Sequence, residues 1–210
     1  MVCVPTCYVV ATLIPIGHAL GGCGACDNNA MSGHCHIHYA SYYGSTRQYA
    51  DALAGRLGAV AEQIPAPSSV SSDATAGPIV VLAPAHGPMH DGVKFVLALD
   101  GAVLRSRPIA LATVGMTLDD EAASKDATGD LLGVSAEHVA RFYLPGRMNY
   151  SALSGAHKTV MAGVVGGLRL KRRKSANERN MIDTYGKDVD RVDLSRLDPV
   201  VQWVQGHGGG

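Results

Sequence analysis

The sequence predicts a doubly wound α/β sandwich, in which helices cover both faces of a five-stranded parallel sheet of order 2-1-3-4-5. Short apolar runs alternate with helical patterns from His34 onward, which is typical of βαβ units. The run at residues 79–83 is wholly apolar and the run at 109–114 nearly so, as in buried parallel strands. A turn rich in hydroxyl groups and glycine follows the first run, and it favours this strand order over that of dinucleotide-binding folds.

The overall composition fits one globular domain. Of the 210 residues, 47% are apolar and 17% are charged, and 18 Lys and Arg residues balance 18 Asp and Glu residues. A neutral chain has no overall field to attract nucleic acid, so we expect no nucleic-acid partner. No apolar run reaches the roughly 18–20 residues that a membrane-spanning helix needs.

The first 33 residues differ from the rest. All five cysteines precede residue 36, and Asp27 is the only charged residue among the first 33. The apolar stretch at 8–20 has no cationic region before it, so it makes a poor signal peptide. Because the remaining chain has no cysteine, we expect no disulfide framework and a cytoplasmic protein.

These observations predict three parts. Residues 1–33 form a poorly structured extension, residues 34–205 the domain, and residues 206–210 a flexible tail. Met31 lies just before the first strand and is an alternative start of the native chain.

The first half of the domain contains two predicted strands and one helix. A strand at 35–40 leads into the turn at 41–46. The next helix has apolar residues at helical spacing, namely Tyr49, Ala50, Leu53, Ala54 and Leu57. Gly58 ends this helix, a weak second strand follows at 59–64, and the Pro-, Ser- and Ala-rich residues 65–77 predict a loop.

Three further strands are predicted after this loop. The third, at 79–83, is stopped by Pro84, and a loop continues to about His90. One helix and its exit are then marked by Val93, Val96, Leu97 and Leu104. The fourth strand is at 109–114. The acidic stretch at 117–135 is predicted to contain both loop and helix.

The fifth strand, at 139–144, ends at Pro145 and Gly146. A helix at 151–170 has apolar residues Val160, Val164 and Leu168. The final segment, 194–204, has one apolar face, formed by Leu197, Val200, Val201 and Val204.

The turn at 41–46 predicts an anion-binding site. It joins the carboxyl end of a strand to the amino end of a helix, where backbone N–H groups and the helix dipole attract an anion. Ser41, Ser45 and Thr46 add hydroxyl donors, and Gly44 allows close approach of the backbone. Without a lysine or a carboxylate, the turn suits a monophosphate better than a magnesium-bound triphosphate. The alternative is a simple turn in which Ser45 or Thr46 caps the helix.

Neither G-x-G-x-x-G nor G-x-x-x-x-G-K-[ST] follows a predicted strand, which argues against binding of NAD or nucleoside triphosphates. Ser154 and His157 lack a nucleophile elbow, which argues against a hydrolase. The Cys and His residues at 23–38 do not have a recognised ligand spacing, so we expect no metal site.

Two segments resemble a known family. Residues 36–50, HIHYASYYGSTRQYA, resemble the opening strand, FMN-phosphate loop and first helix of the flavodoxin-domain family. Residues 142–150, FYLPGRMNY, are similar to the last-strand segment of its branch of flavodoxin-type, FMN-dependent protoporphyrinogen oxidases. The resemblance covers about residues 36–204 and implies a flavodoxin-like three-layer sandwich.

The resemblance also implies FMN as the cofactor and a set of site residues. The phosphate would be held by the first loop, through Ser41, Gly44, Ser45 and Thr46, with Tyr42 in the same loop. One side of the flavin ring would be bordered by Pro84, Ala85, His86 and Gly87, and the other by Thr113, Val114, Gly115 and Met116. Flavodoxin sites often place an aromatic side chain on the ring, and this chain offers His86 instead. No residue is singled out as a catalytic acid or base.

We therefore expect an FMN-binding flavodoxin-like oxidoreductase, resembling protoporphyrinogen oxidase of haem biosynthesis, that passes electrons through FMN to a quinone or other acceptor. Carrier flavodoxins resemble one another in being strongly acidic, so the neutral charge of this chain favours an enzyme. The alternatives are a flavodoxin-type electron carrier or redox binding module without its own substrate, and an interaction domain that has lost FMN.

A basic run follows the helix at 151–170 and consists of Arg169, Lys171, Arg172, Arg173 and Lys174. It suits a peripheral contact with an anionic membrane, where a quinone dissolves, or with the carboxylates of a porphyrinogen. The alternative is a solvated loop with positive charge near a helix carboxyl end.

Overall fold

The computed structural model describes residues 35–85 and 90–208, and its centre is a five-stranded parallel sheet of order β2-β1-β3-β4-β5. The strands are β1 (His36–Tyr39), β2 (Ala61–Gln63), β3 (Ile79–Pro84), β4 (Ile109–Gly115) and β5 (Val139–Pro145). Every neighbouring pair of these strands is parallel. The predicted fold class and strand order are confirmed.

Eight α-helices lie in the described residues: α1 (Ser45–Leu57), α2 (Asp91–Leu97), α3 (Gly101–Ser106), α4 (Asp119–Ser124), α5 (Ala127–Leu132), α6 (Gly155–Leu170), α7 (Ala176–Asp183) and α8 (Asp198–His207). Short 3₁₀ turns occupy Pro67–Ser69, Ala74–Ala76, Gly133–His138 and Leu194–Leu197. A separate antiparallel ribbon joins β6 (Arg147–Met148) to β7 (Val189–Asp190).

The sheet separates two hydrophobic cores, because successive side chains of a strand point to opposite faces. On one face, α1 and α8 cover the strands, and the buried residues include Ile37, Val80, Leu82, Tyr49, Leu53, Leu197 and Val200. On the other face lie α2 and α3, and the buried residues include Ile79, Val81, Ile109, Leu111, Val93, Val96 and Val103. Both faces are therefore covered, as the three-layer prediction requires.

The helix predicted from Val93 to Leu104 is two helices. Helix α2 ends at Leu97, and the Asp100 carboxylate caps α3 by accepting a hydrogen bond from the Ala102 N–H at 2.7 Å. An aspartate that caps a new helix interrupts the old one, so Leu104 belongs to α3. The prediction of a single helix is wrong.

Helix α6 begins at Gly155, four residues after the predicted start. The Ser154 side chain caps the helix by accepting a hydrogen bond from the His157 N–H. Val165 is its one buried residue, whereas Val160 and Val164 are 63% and 44% exposed. Val160 and Val164 therefore do not pack in the core.

Helix α8 continues to His207, two residues beyond the predicted end of the domain. Residues 1–34, including the whole predicted extension, lie outside the described residues, as do 86–89 and 209–210. Among the helices that are described, none is long and apolar enough to cross a membrane.

Candidate functional site

The candidate site lies where the strand order reverses. Strand β1 pairs with β2 on one side and with β3 on the other, so the chain leaves the sheet in opposite directions after β1 and after β3. In open α/β sheets, ligands bind in the crevice outside the carboxyl ends of the strands at such a switch point. The turn at residues 41–46, which we call the phosphate loop after its predicted role, follows β1 and therefore lies at this crevice.

The phosphate loop enters α1 through a glycine in the left-handed region. Gly44 has φ 85° and is the N-cap of α1. Ser45 and Thr46 are therefore the first two residues of the helix. The Arg47 N–H donates to Ser41 Oγ at 3.3 Å, and the Gln48 N–H donates to the Gly44 carbonyl at 3.0 Å. Gly44 holds the N-cap position, so the expectation that Ser45 or Thr46 caps the helix is wrong.

The residues of this loop fit a phosphate. The first amides of an α-helix have no acceptor within the helix, and the helix dipole places partial positive charge there. The first turn of α1 contains no acidic residue that would repel an anion. A left-handed glycine lets the backbone approach a ligand closely, and an added Cβ at Gly44 would meet no atom within 4 Å.

Tyr42 connects the phosphate loop with the start of α2. Its ring is 54% exposed, and its hydroxyl group donates a hydrogen bond to the Asp91 carboxylate. This hydrogen bond raises the pKa of Tyr42 above its ordinary value. Tyr42 follows β1 and Asp91 follows β3, so the bond joins the two segments that leave the switch point.

The segment that follows β3 begins in contact with the last residues of β4. The Ala85 N–H donates to the Val114 carbonyl at 2.9 Å. A Cβ added to Gly115 would lie 3.6 Å from the Ala85 Cβ and 3.2 Å from the Tyr143 hydroxyl oxygen. A side chain at position 115 would therefore be tight only against Tyr143, while His86 and Gly87 lie outside the described residues.

A protein-family model described as the flavodoxin domain matches residues 36–174, which include all five strands of the sheet. This chain belongs to the flavodoxin domain family. A search of curated proteins finds no match to the chain. Flavodoxin domains typically bind FMN, which is therefore the cofactor of this domain.

In this flavodoxin domain, part of the segment at 113–116 that is predicted to border the flavin ring is buried in the sheet. Thr113 and Val114 are both core residues, and Thr113 Oγ1 lies 2.9 Å from His90 Nε2 and 3.0 Å from Thr128 Oγ1. Gly115 and Met116 are half-buried and lie at the carboxyl end of β4. Gly115 and Met116 are thus partly accessible at the carboxyl end of β4, whereas the Thr113 side chain is buried beside His90 and Thr128.

His90 holds the start of α2. Its Nδ1 accepts a hydrogen bond from the Val93 N–H at 3.3 Å, so the imidazole is neutral and Nε2–H donates to Thr113. Burial lowers the pKa of His90 below its ordinary value, which agrees with this assignment. The sequence interpretation treated His90 only as the end of a loop.

Helix α7 fastens the segment that follows β4, and the sequence interpretation missed this role. Asn180 Nδ2 donates to the Met116 carbonyl at 3.3 Å, and the Leu118 N–H donates to Asn177 Oδ1 at 3.2 Å. The Tyr143 hydroxyl group donates to the Thr117 carbonyl at 2.9 Å, and burial raises the pKa of Tyr143 to about 12. Three side chains thus hold consecutive backbone groups of this flavodoxin domain in place.

Arg147, from the FYLPGRMNY segment, connects the end of the sheet with α1. Its guanidinium group forms an ion pair with Asp190 at 2.7 Å and donates to Gln48 Oε1 at 3.1 Å. Gln48 lies in the first turn of α1, next to the phosphate loop. The segment that carries the finer resemblance therefore supports the first turn of α1.

Proposed function

We propose that this flavodoxin domain is an FMN-dependent oxidoreductase that oxidises a small molecule and reduces a quinone or another acceptor. The phosphate loop carries this proposal, because it combines a helix amino end, a left-handed glycine and three hydroxyl side chains without an acidic residue in the first turn. When bound, FMN supplies a ring that takes up and releases electrons.

The residues of this chain bind and orient the cofactor. The phosphate loop anchors one end, and the Tyr42–Asp91 hydrogen bond joins that loop to α2. Just after β4, the backbone of residues 116–118 is fixed by hydrogen bonds to the side chains of Asn177, Asn180 and Tyr143. A backbone held in this way keeps its N–H groups in a constant direction, and preorganised donors of this kind stabilise charge that develops during a reaction.

Protoporphyrinogen is the substrate that we propose within this class. The FYLPGRMNY segment supports it by resemblance, and the equal numbers of acidic and basic residues favour an enzyme over an acidic carrier. Substrate oxidation and acceptor reduction would occur at the same flavin, with no side chain acting as a nucleophile.

The phosphate assignment is tested by FMN titration. Ser45→Ala together with Thr46→Ala should weaken FMN binding, since each charge-assisted hydrogen bond contributes about 1.5–3 kcal/mol. The matched control is Ser124→Ala with Thr159→Ala, because these hydroxyl groups bond only to carbonyl groups of their own helices. Equal FMN affinity in the double variant and the original chain would refute the assignment.

The substrate is tested with FMN-loaded protein, protoporphyrinogen and a quinone. The expected result is FMN-dependent oxidation of protoporphyrinogen that stops in the Ser45→Ala, Thr46→Ala variant at limiting FMN. FMN that is reduced and reoxidised by redox proteins, without turnover of protoporphyrinogen, would instead identify an electron carrier.

A further inference from the structure

Helix α6 turns a largely apolar face away from the protein. Val160 and Leu170 are 63% and 88% exposed, and most other exposed positions of the helix are Ala, Gly or Val. The surface helix of a globular protein ordinarily has polar residues on its solvent side. Here Lys158 is instead half-buried, and no described residue buries the outward face.

Positive charge that is only partly compensated follows this face. Between Glu137 and Glu178 the chain has no carboxylate side chain, and α6 continues into the basic run. Lys171 forms an ion pair with Glu178, and Lys174 Nζ donates to two backbone carbonyl groups. Arg172 and Arg173 are exposed and make no ion pair with any residue that the structure describes.

The size of the face argues against a second copy of the chain as its partner. A 16-residue helix is about 24 Å long, so a strip about 10 Å wide covers roughly 240 Å². A stable protein interface buries about 800 Å² on each partner. A bilayer surface has no such requirement, because an interfacial helix inserts only its apolar side, and anionic headgroups attract the neighbouring cations.

We propose that the exposed face of α6, with Val160, Val164 and Leu170, and the adjacent Arg172 and Arg173 form a docking surface for an anionic lipid bilayer. We call it the α6 surface. The proposal goes beyond the proposed function, and it stands on burial and charge that are independent of flavin binding.

Vesicle flotation with the full chain tests the α6 surface. Vesicles of phosphatidylglycerol and phosphatidylcholine should bind the protein at about 0.1 M salt, and pure phosphatidylcholine vesicles should bind it much more weakly. Binding should decrease sharply at about 1 M salt, because the Debye length shortens from about 10 Å to about 3 Å.

Two double variants separate the charge from the apolar face. Arg172→Gln with Arg173→Gln should reduce partitioning onto anionic vesicles about 30-fold, since each cation near the surface contributes about fivefold. Val160→Ser with Val164→Ser should reduce it about tenfold through lost apolar burial. Arg172→Lys with Arg173→Lys is the matched control and should retain binding, and circular dichroism checks the fold of every variant.

The absence of binding to anionic vesicles at low salt would overturn the proposal, as would binding that both double variants leave unchanged. A dimer in sedimentation equilibrium that Val160→Ser with Val164→Ser dissociates would also overturn it, because the face would then be an interface between copies. FMN titration of the same samples reports on the proposed function separately.

Discussion

The hydroxyl group of Tyr49 links three parts of the chain that are distant in sequence. Tyr49 is fully buried on α1, donates to the Pro145 carbonyl at 2.7 Å and accepts from the Asp193 N–H at 2.8 Å. Tyr49→Phe keeps the ring but leaves both backbone groups without this partner. We expect a loss of about 1–3 kcal/mol in the free energy of unfolding, measured by urea denaturation. An unchanged midpoint would show that the hydroxyl group contributes nothing.

His90 makes the stability of the domain depend on pH. Burial lowers its pKa in the folded state below the ordinary value of 6.5, so below that pH the unfolded chain binds more protons. This contribution to stability is complete above about pH 6.5 and is lost as the pH falls through the folded-state pKa.

His90→Asn keeps a side chain that can cap α2 and removes the titration. The decrease in the free energy of unfolding between about pH 7 and pH 5 should become shallower in this variant. A slope remains, because burial also lowers the pKa of His38. An identical slope in the variant and the original chain would exclude His90 as its source.

At the scale of an element, α6 is weaker than its length suggests. A Cβ added to Gly163 or Gly166 would meet no atom within 4 Å. Alanine at these positions should raise the free energy of unfolding by about 0.5–1 kcal/mol each, because it restricts the unfolded chain. Gly92→Ala is the contrasting control, since its Cβ would lie 2.6 Å from Leu111 Cδ1. Thermal unfolding of the three variants measures these differences. A lower unfolding temperature for Gly163→Ala would contradict the claim that α6 has room for a side chain there.

The central elements could be predicted from the sequence because their signals are local. Strand β3 is a continuous apolar run, and α1 combines a helical repeat with a glycine at each end. The turn between β1 and α1 could be predicted for the same reason. The roles of Asn180 and Tyr49 could not, since their partners lie 64 and 96 residues away, and neither residue differs from an ordinary helix position. Helix α7 had one local signal, the capping box of Ser175 and Glu178.

At the scale of the whole molecule, the residues before the sheet are expected to be dispensable. Within the part of the chain that the structure describes, the first residues of the hydrophobic cores are Ile37 and partly buried Cys35. A shortened chain that begins at Met31 should therefore show the same unfolding midpoint and FMN affinity as the full chain. Aggregation of the shortened chain, or stoichiometric zinc in the full chain, would instead indicate that residues 1–33 are structural.

The cover over α1 has a consequence for synthesis on the ribosome. Tyr49 and Leu53 pack against Leu197 and Val200, so the apolar side of α1 is closed by residues that are translated more than 140 positions later. At about 5–20 residues per second, that side waits roughly 7–30 s for its cover. The nascent chain thus has the turn before α1 early but exposes a hydrophobic surface until α8 has been translated. Premature termination before α8 would release a chain that is prone to aggregate and dependent on chaperones.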